Sequence, residues 1–185
     1  MVLGCPSPRL LKLENDLLKY QNAELQAQLV DLRSQAAPGD FARVVNLELV
    51  QSWMARAGLN GAERASEGLL VVGITGDNAR FRVSAQLFPE QKVLYLAAVD
   101  YLELEAATSS SAMVLLLTQL AAINYELLLG KFQLNPRTGA ITLSVELKLD
   151  DGLGYASFAS ALQALIRTAD GRYPELAGAA RGQGI

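Results

Sequence analysis

The sequence predicts an α+β domain, an antiparallel sheet packed against helices, preceded by a coiled-coil helix. Three observations carry that prediction. Leucine recurs every seventh residue near the start, at Leu11, Leu18, Leu25 and Leu32. Residues 80–88 and 141–149 alternate apolar with polar, the pattern of strands with one wet face. Between them, residues 112–129 form an apolar run of helical length.

The chain has 185 residues, 51% of them hydrophobic and 19% charged, enough apolar material for a packed core of ordinary domain size. Its net charge is −3, with Lys and Arg scattered, so no electrostatic attraction to nucleic acid or anionic lipid is expected. There is no histidine. That removes the commonest general base and metal ligand, and every Ser-His or Cys-His pair. Cys5 is the only cysteine, which rules out an intrachain disulfide or a thiolate zinc cluster. The expectation is a protein without catalytic residues, metal or cofactor.

In the heptad reading the leucines occupy d, which places Asn15, Asn22 and Leu29 at a. A 3.5-residue repeat keeps this stripe facing a partner helix, and paired asparagines at a favour a parallel, in-register dimer. Glu14 and Lys19 fall where an interchain ion pair could form. The alternative is one amphipathic helix lying on its own domain, since Leu10, Leu13 and Leu17 widen the apolar face. The organisation predicted is a tail at 1–9, a coiled-coil helix at 10–36, a domain at 38–176 and a flexible tail at 177–185.

Within the domain, Ala36-Ala37-Pro38-Gly39 breaks the arm, and Asp40 is placed to cap a helix over 41–57 that Gly58 stops. A polar connector follows at 60–67. Strands are predicted at 69–75, 80–88 and 92–104, joined by turns at Gly76-Asp77-Asn78 and Phe88-Pro89-Glu90-Gln91. Thr108 to Ser111 offer N-caps for the helix 112–129, and Gly130 closes it. A short strand at 131–134, a turn at Asn135-Pro136-Arg137-Thr138-Gly139 and a strand at 141–149 come next. A helix over 155–173 ends the order α-β-β-β-α-β-β-α, with the segment beyond Pro174 frayed.

The middle helix has apolar residues around nearly its whole circumference, and a helix on one sheet hides only one face. Met113, Leu116, Leu117 and Leu120 are therefore the candidate interface with another copy of the domain; the alternative is burial beneath the chain's own first or last helix. Burying two or three extra leucines would contribute about 3–8 kcal/mol. Asn124 and Glu126, polar in this apolar helix, are expected to be hydrogen-bonded there as a structural pair.

The stretch Ala122-Ile123-Asn124-Tyr125-Glu126-Leu127-Leu128-Leu129-Gly130-Lys131-Phe132-Gln133-Leu134 resembles the YbjN family, whose fold is that of type III secretion chaperones. The following hairpin, then Asp150-Asp151-Gly152-Leu153, then Ala169-Asp170-Gly171-Arg172-Tyr173-Pro174 match in order and spacing, so the resemblance covers residues 40–176. It implies a non-enzymatic domain, a dimer through the middle helix, and an extended partner segment held on sheet and helix surfaces. The leucine repeat and the mild acidity depart from that pattern.

Val2-Leu3-Gly4-Cys5 fits a bacterial lipobox, with Cys5 as the lipidated residue, although no apolar signal stretch precedes it. As written the chain is expected in the cytoplasm; an upstream start would instead make it a membrane-anchored envelope lipoprotein. Glu103, Glu105, Asp150 and Asp151 are the paired carboxylates worth weighing for chemistry, and they read as hydrated surface acids. Gly73 to Gly76 lacks the lysine of a phosphate loop and reads as a turn. The function expected is a dimeric, chaperone-like or regulatory adaptor that binds protein; the alternative is a structural lipoprotein held through Cys5.

Overall fold

The computed structural model describes residues 40–104 and 108–183, with Lys19. The chain divides into two compact units, Met1–Phe41 and Ala42–Ile185. The heptad residues Leu11, Asn15, Leu18, Asn22, Leu25, Leu29 and Leu32, and Cys5 with them, lie outside the described residues.

The second unit opens with helix α1, Leu47–Arg56. It starts six residues later than expected from Asp40. The reason is Asn46, whose side-chain oxygen accepts the Leu49 N–H at 2.9 Å and fixes the first turn. Leu47, Val50, Trp53 and Met54 form its buried face.

Next comes β1, Glu63–Ser66, where the sequence suggested only a connector. All four side chains are exposed, so neither face carries the apolar alternation by which strands are recognised. β1 pairs antiparallel with β2, Leu69–Thr75, through a tight turn in which Gly68 takes a φ of 80°.

The remaining elements are β3 (Arg80–Phe88), β4 (Val93–Glu103), α2 (Ser110–Glu126), β5 (Lys131–Leu134), β6 (Ala140–Lys148) and α3 (Tyr155–Ala180). These six strands form one sheet in the order β1-β2-β3-β4-β6-β5, antiparallel throughout; two further two-residue strands, at Phe41–Ala42 and Leu153–Gly154, stand outside it. Register places Val72, Val83, Ala98, Leu143 and Phe132 in a line across five strands, and all five are buried. That line is the floor of the core.

α3 packs on β4 and β6, and α1 and α2 flank it. Phe158, Leu162, Leu165 and Ala169 face the sheet, and the Trp53 ring stacks against Phe158 at 5.5 Å. An irregularity in β4 between Ala98 and Leu102 turns Tyr101 inward. Its hydroxyl donates to the Ala169 carbonyl at 2.7 Å, and burial is the main cause that pushes its pKa well above the ordinary value.

The frayed tail expected after Pro174 is helix as far as Ala180. Pro174 has no N–H to offer the preceding turn. Leu176, Ala177 and Ala179 beyond it are nonetheless buried, and that apolar burial carries the helix through.

Candidate protein-binding surface

α2 begins where Ser109 accepts the Ala112 N–H at 3.2 Å, and ends where Leu127 turns to extended backbone. Ala112, Leu116, Leu120 and Ile123 point into the core. Gly130, with a φ of 84°, then swings the chain into β5; a Cβ there would sit 2.7 Å from the Ser144 carbonyl oxygen, so only glycine fits.

The opposite side of α2 is uncovered. Val114 is 63% exposed, Leu117 47%, Tyr125 93%, and Leu128 just past the helix end is fully exposed. Ala121 lies exposed among them. At 1.5 Å per residue, positions 114, 117, 121 and 125 make one stripe about 16 Å long. Of the four side chains expected at an interface, only Leu117 lies on it. Met113 is half-buried, and Leu116 and Leu120 are buried in the chain's own core, which corrects their assignment. Both stripes have helical spacing and similar residues, so periodicity could not say which one faces inward.

Polar contacts fix the orientation of α2. The Asn124 side chain reaches β5, accepting the Phe132 N–H at 2.7 Å and donating to the Phe132 carbonyl at 3.0 Å. It behaves as a neighbouring strand would, satisfying a free sheet edge. Glu126 is not its partner: that carboxylate accepts from Arg172 on α3 at 2.7 Å. Arg172 also donates to Glu175 at 3.0 Å, and Glu175 accepts from Gln119 of α2. Hydrogen bonds to Glu175 first and Glu126 second raise the Arg172 pKa. Two helices are thus joined by a connected set of side chains.

α3 is pinned in turn by Asp170, which sequence reasoning missed. Its carboxylate accepts the backbone N–H groups of Asp77 at 3.2 Å, Asn78 at 2.9 Å and Ala79 at 3.0 Å, and the Asn78 side-chain amide at 3.3 Å. These donors, Asn78 N–H foremost, hold its pKa below the usual carboxylate range. A Cβ on Gly76 would lie 2.1 Å from this carboxylate. The turn was legible, but nothing local announces a partner more than ninety residues away.

No group of three or more His, Cys, Asp or Glu able to hold a metal occurs among the described residues. No helix among them is long and apolar enough to cross a membrane. Glu103, Asp150 and Asp151 are exposed, with Asp150 facing Lys92 at 3.8 Å; Glu105 lies outside the described residues.

Residues 46–178 match the YbjN family, described as "Putative bacterial sensory transduction regulator". A comparison with curated proteins finds no match. Among solved structures, YbjN from E. coli is similar at a TM-score of 0.57 and 18% identity, covering 75% of this chain and 93% of that one. A chain of the ExsC–ExsE complex is similar at 0.50 and 20% identity, covering 71% and 97%. A chain of the HopA1–SchA chaperone–effector complex reaches 0.48 and 12%, covering 71% and 99%. The likeness to E. coli YbjN and to ExsC–ExsE is one of fold: helices on a mostly antiparallel sheet. Since the family match spans well over half of its length, the chain belongs to the YbjN family.

Proposed function

We propose that this chain is a non-enzymatic protein-binding module, a chaperone-like or regulatory adaptor that acts as a dimer. The observation that carries the proposal is the apolar stripe of α2, with Val114, Leu117, Tyr125 and Leu128 turned to water. An exposed apolar patch of this kind marks a surface for another protein. Full coverage contributes on the order of 1.5–3 kcal/mol per large side chain, against an association cost of about 4–15 kcal/mol. The stripe is thus the centre of an interface, to be completed by its rim.

Membership of a family described as a regulator supports the reading, as does the fold shared with a protein solved in a two-protein complex. The leucine repeat of the arm supplies a second route to association. Lipidation at Cys5 would place the same module on an envelope membrane; without it the module works in the cytoplasm. Detergent partition of the chain expressed from its own gene, beside its Cys5→Ser variant, separates the two locations.

The test is light scattering of the full chain and of the chain lacking residues 1–36. A dimer in both forms assigns association to the domain, and a dimer only in the full chain assigns it to the arm. A monomer in both forms overturns the proposal.

A further inference from the structure

We infer that Asn60 is a site of spontaneous deamidation, in which the backbone nitrogen of Gly61 displaces the side-chain amide. Asn60-Gly61 is the one Asn-Gly pair in the chain. Glycine has no Cβ to obstruct the approach of its own nitrogen to the preceding side chain. Sequence alone does not decide the step, because a fold can commit that nitrogen to a hydrogen bond. Here it is uncommitted. Both residues are exposed in the turn between α1 and β1. Neither the Asn60 side chain nor the Gly61 N–H makes a hydrogen bond among the described residues. The turn is pinned at its two ends instead. The Leu59 N–H donates to the Met54 carbonyl at 2.9 Å, and the carbonyl of buried Ala62 accepts from the Gln51 side chain at 2.8 Å.

The other described asparagines are closed to this reaction. The Asn46 side chain is held by the Leu49 N–H at 2.9 Å. After Asn78, the nitrogen that would attack belongs to Ala79 and donates to Asp170 at 3.0 Å. Asn124 is fixed by both of its bonds to Phe132. Asn135 precedes Pro136, whose nitrogen has no hydrogen to give up.

The step needs only solvent. The Gly61 nitrogen loses its proton and bonds to Cγ of Asn60. The bond from Cγ to the amide nitrogen breaks, and that nitrogen leaves as ammonia, carrying the proton away. A water molecule then opens the cyclic imide. Cleavage between nitrogen and Cγ leaves aspartate; cleavage between nitrogen and the Asn60 carbonyl carbon leaves isoaspartate, with the main chain running through the former side chain. The new carboxylate joins Glu48 in the hollow that both residues line, where Arg64 already holds Glu48 at 2.7 Å. The isoaspartate product also lengthens a link pinned at Leu59 and Ala62, which loosens the tie between α1 and the β1 margin of the sheet.

The test incubates the full chain in mildly alkaline buffer, which favours loss of the Gly61 proton, and follows the tryptic peptide 57–64 by mass spectrometry. That peptide should convert to aspartate and isoaspartate forms. The isoaspartate form should accept a methyl group from S-adenosylmethionine when a protein isoaspartate methyltransferase is added. Peptides holding Asn46, Asn78 and Asn124 should stay unchanged over the same period. Conversion in the native chain should run within a few-fold of its rate in urea, since the fold leaves the Gly61 nitrogen uncommitted. Gly61→Ala should slow it several-fold. A Cβ there meets only Val72 Cγ2, at 4.0 Å, and circular dichroism confirms that the variant folds. Amide exchange at residues 63–66 should quicken in the converted chain and not in incubated Gly61→Ala. An intact 57–64 peptide would overturn the inference, as would conversion many-fold slower in the native chain than in urea. Equal rates in Gly61→Ala and the parent chain would overturn it too, and unchanged exchange would overturn the loosening of β1.

Discussion

Replacing Asn124 tests whether one helix side chain seals the edge of the sheet. Its amide makes two hydrogen bonds to Phe132, at 2.7 Å and 3.0 Å, in a half-buried position. Asn124→Ala removes both and leaves a backbone donor and acceptor that water reaches poorly. Each lost bond costs about 1 kcal/mol, and somewhat more where the remaining group stays dry, which gives about 2–3 kcal/mol in all. For a urea slope of about 2 kcal/mol/M this lowers the unfolding midpoint by about 1–1.5 M. Asn124→Asp should fall between wild type and alanine, since a carboxylate still accepts the Phe132 N–H but repels the Phe132 carbonyl. The second readout is local: hydrogen exchange at the Phe132 amide should accelerate in Asn124→Ala beyond what the global loss of stability explains. A midpoint shift below about 0.3 M, with Phe132 protection unchanged, would refute the reasoning, because the edge would then be held by something other than Asn124.

Asp170 and Gly76 should behave as one unit. Asp170→Asn loses the charge-assisted cap on residues 77–79 and should cost about 0.5–2 kcal/mol, as a lost helix cap does; Gly76→Ala should cost a similar amount, and a double-mutant cycle should show the two far from additive. The folded pKa of Asp170 is depressed, so its contribution is complete above the unfolded value near 4 and disappears as pH falls through the lower folded value. Acid titration of stability should therefore be flatter in Asp170→Asn. The two sides of α2 should separate cleanly: Leu116→Ala opens a cavity and costs about 2–5 kcal/mol by denaturant unfolding, whereas Leu117→Ala costs under about 1 kcal/mol and shows instead in the dimer dissociation constant by ultracentrifugation.

Much of the domain was legible because its elements obey local rules. β3 and β6 fall within a residue of where apolar alternation places them, β2 and β5 fall on the strands expected at 69–75 and 131–134, and Gly139 takes the positive φ that its turn required. What escaped was decided by contacts distant in sequence or by the lack of any pattern. β1 is wet on both faces and so carries no strand signature. The start of α1 turned on which of two good caps, Asp40 or Asn46, was used, and the extended backbone at Phe41–Ala42 excluded the first. The end of α3 was misjudged because proline is a strong local stop, and only the burial of Leu176 shows why it was overridden. On α2 the sequence showed too much apolar surface for one partner, which holds. It could not divide that surface between core and exterior, because Leu116 and Leu117 are chemically alike and differ only by 100° of helix rotation.

The grip of Asn124 on β5 has a consequence for how copies of this chain can aggregate. A sheet with two bare margins can recruit a strand at each and so string subunits without limit. Here one margin is stoppered at Phe132, the second residue of its four-residue strand, and the other is a four-residue strand bearing Glu63 and Arg64. Strand exchange could proceed from that side alone and would end after one addition. The molecule can expose an oily helix for docking without offering a template for fibrils.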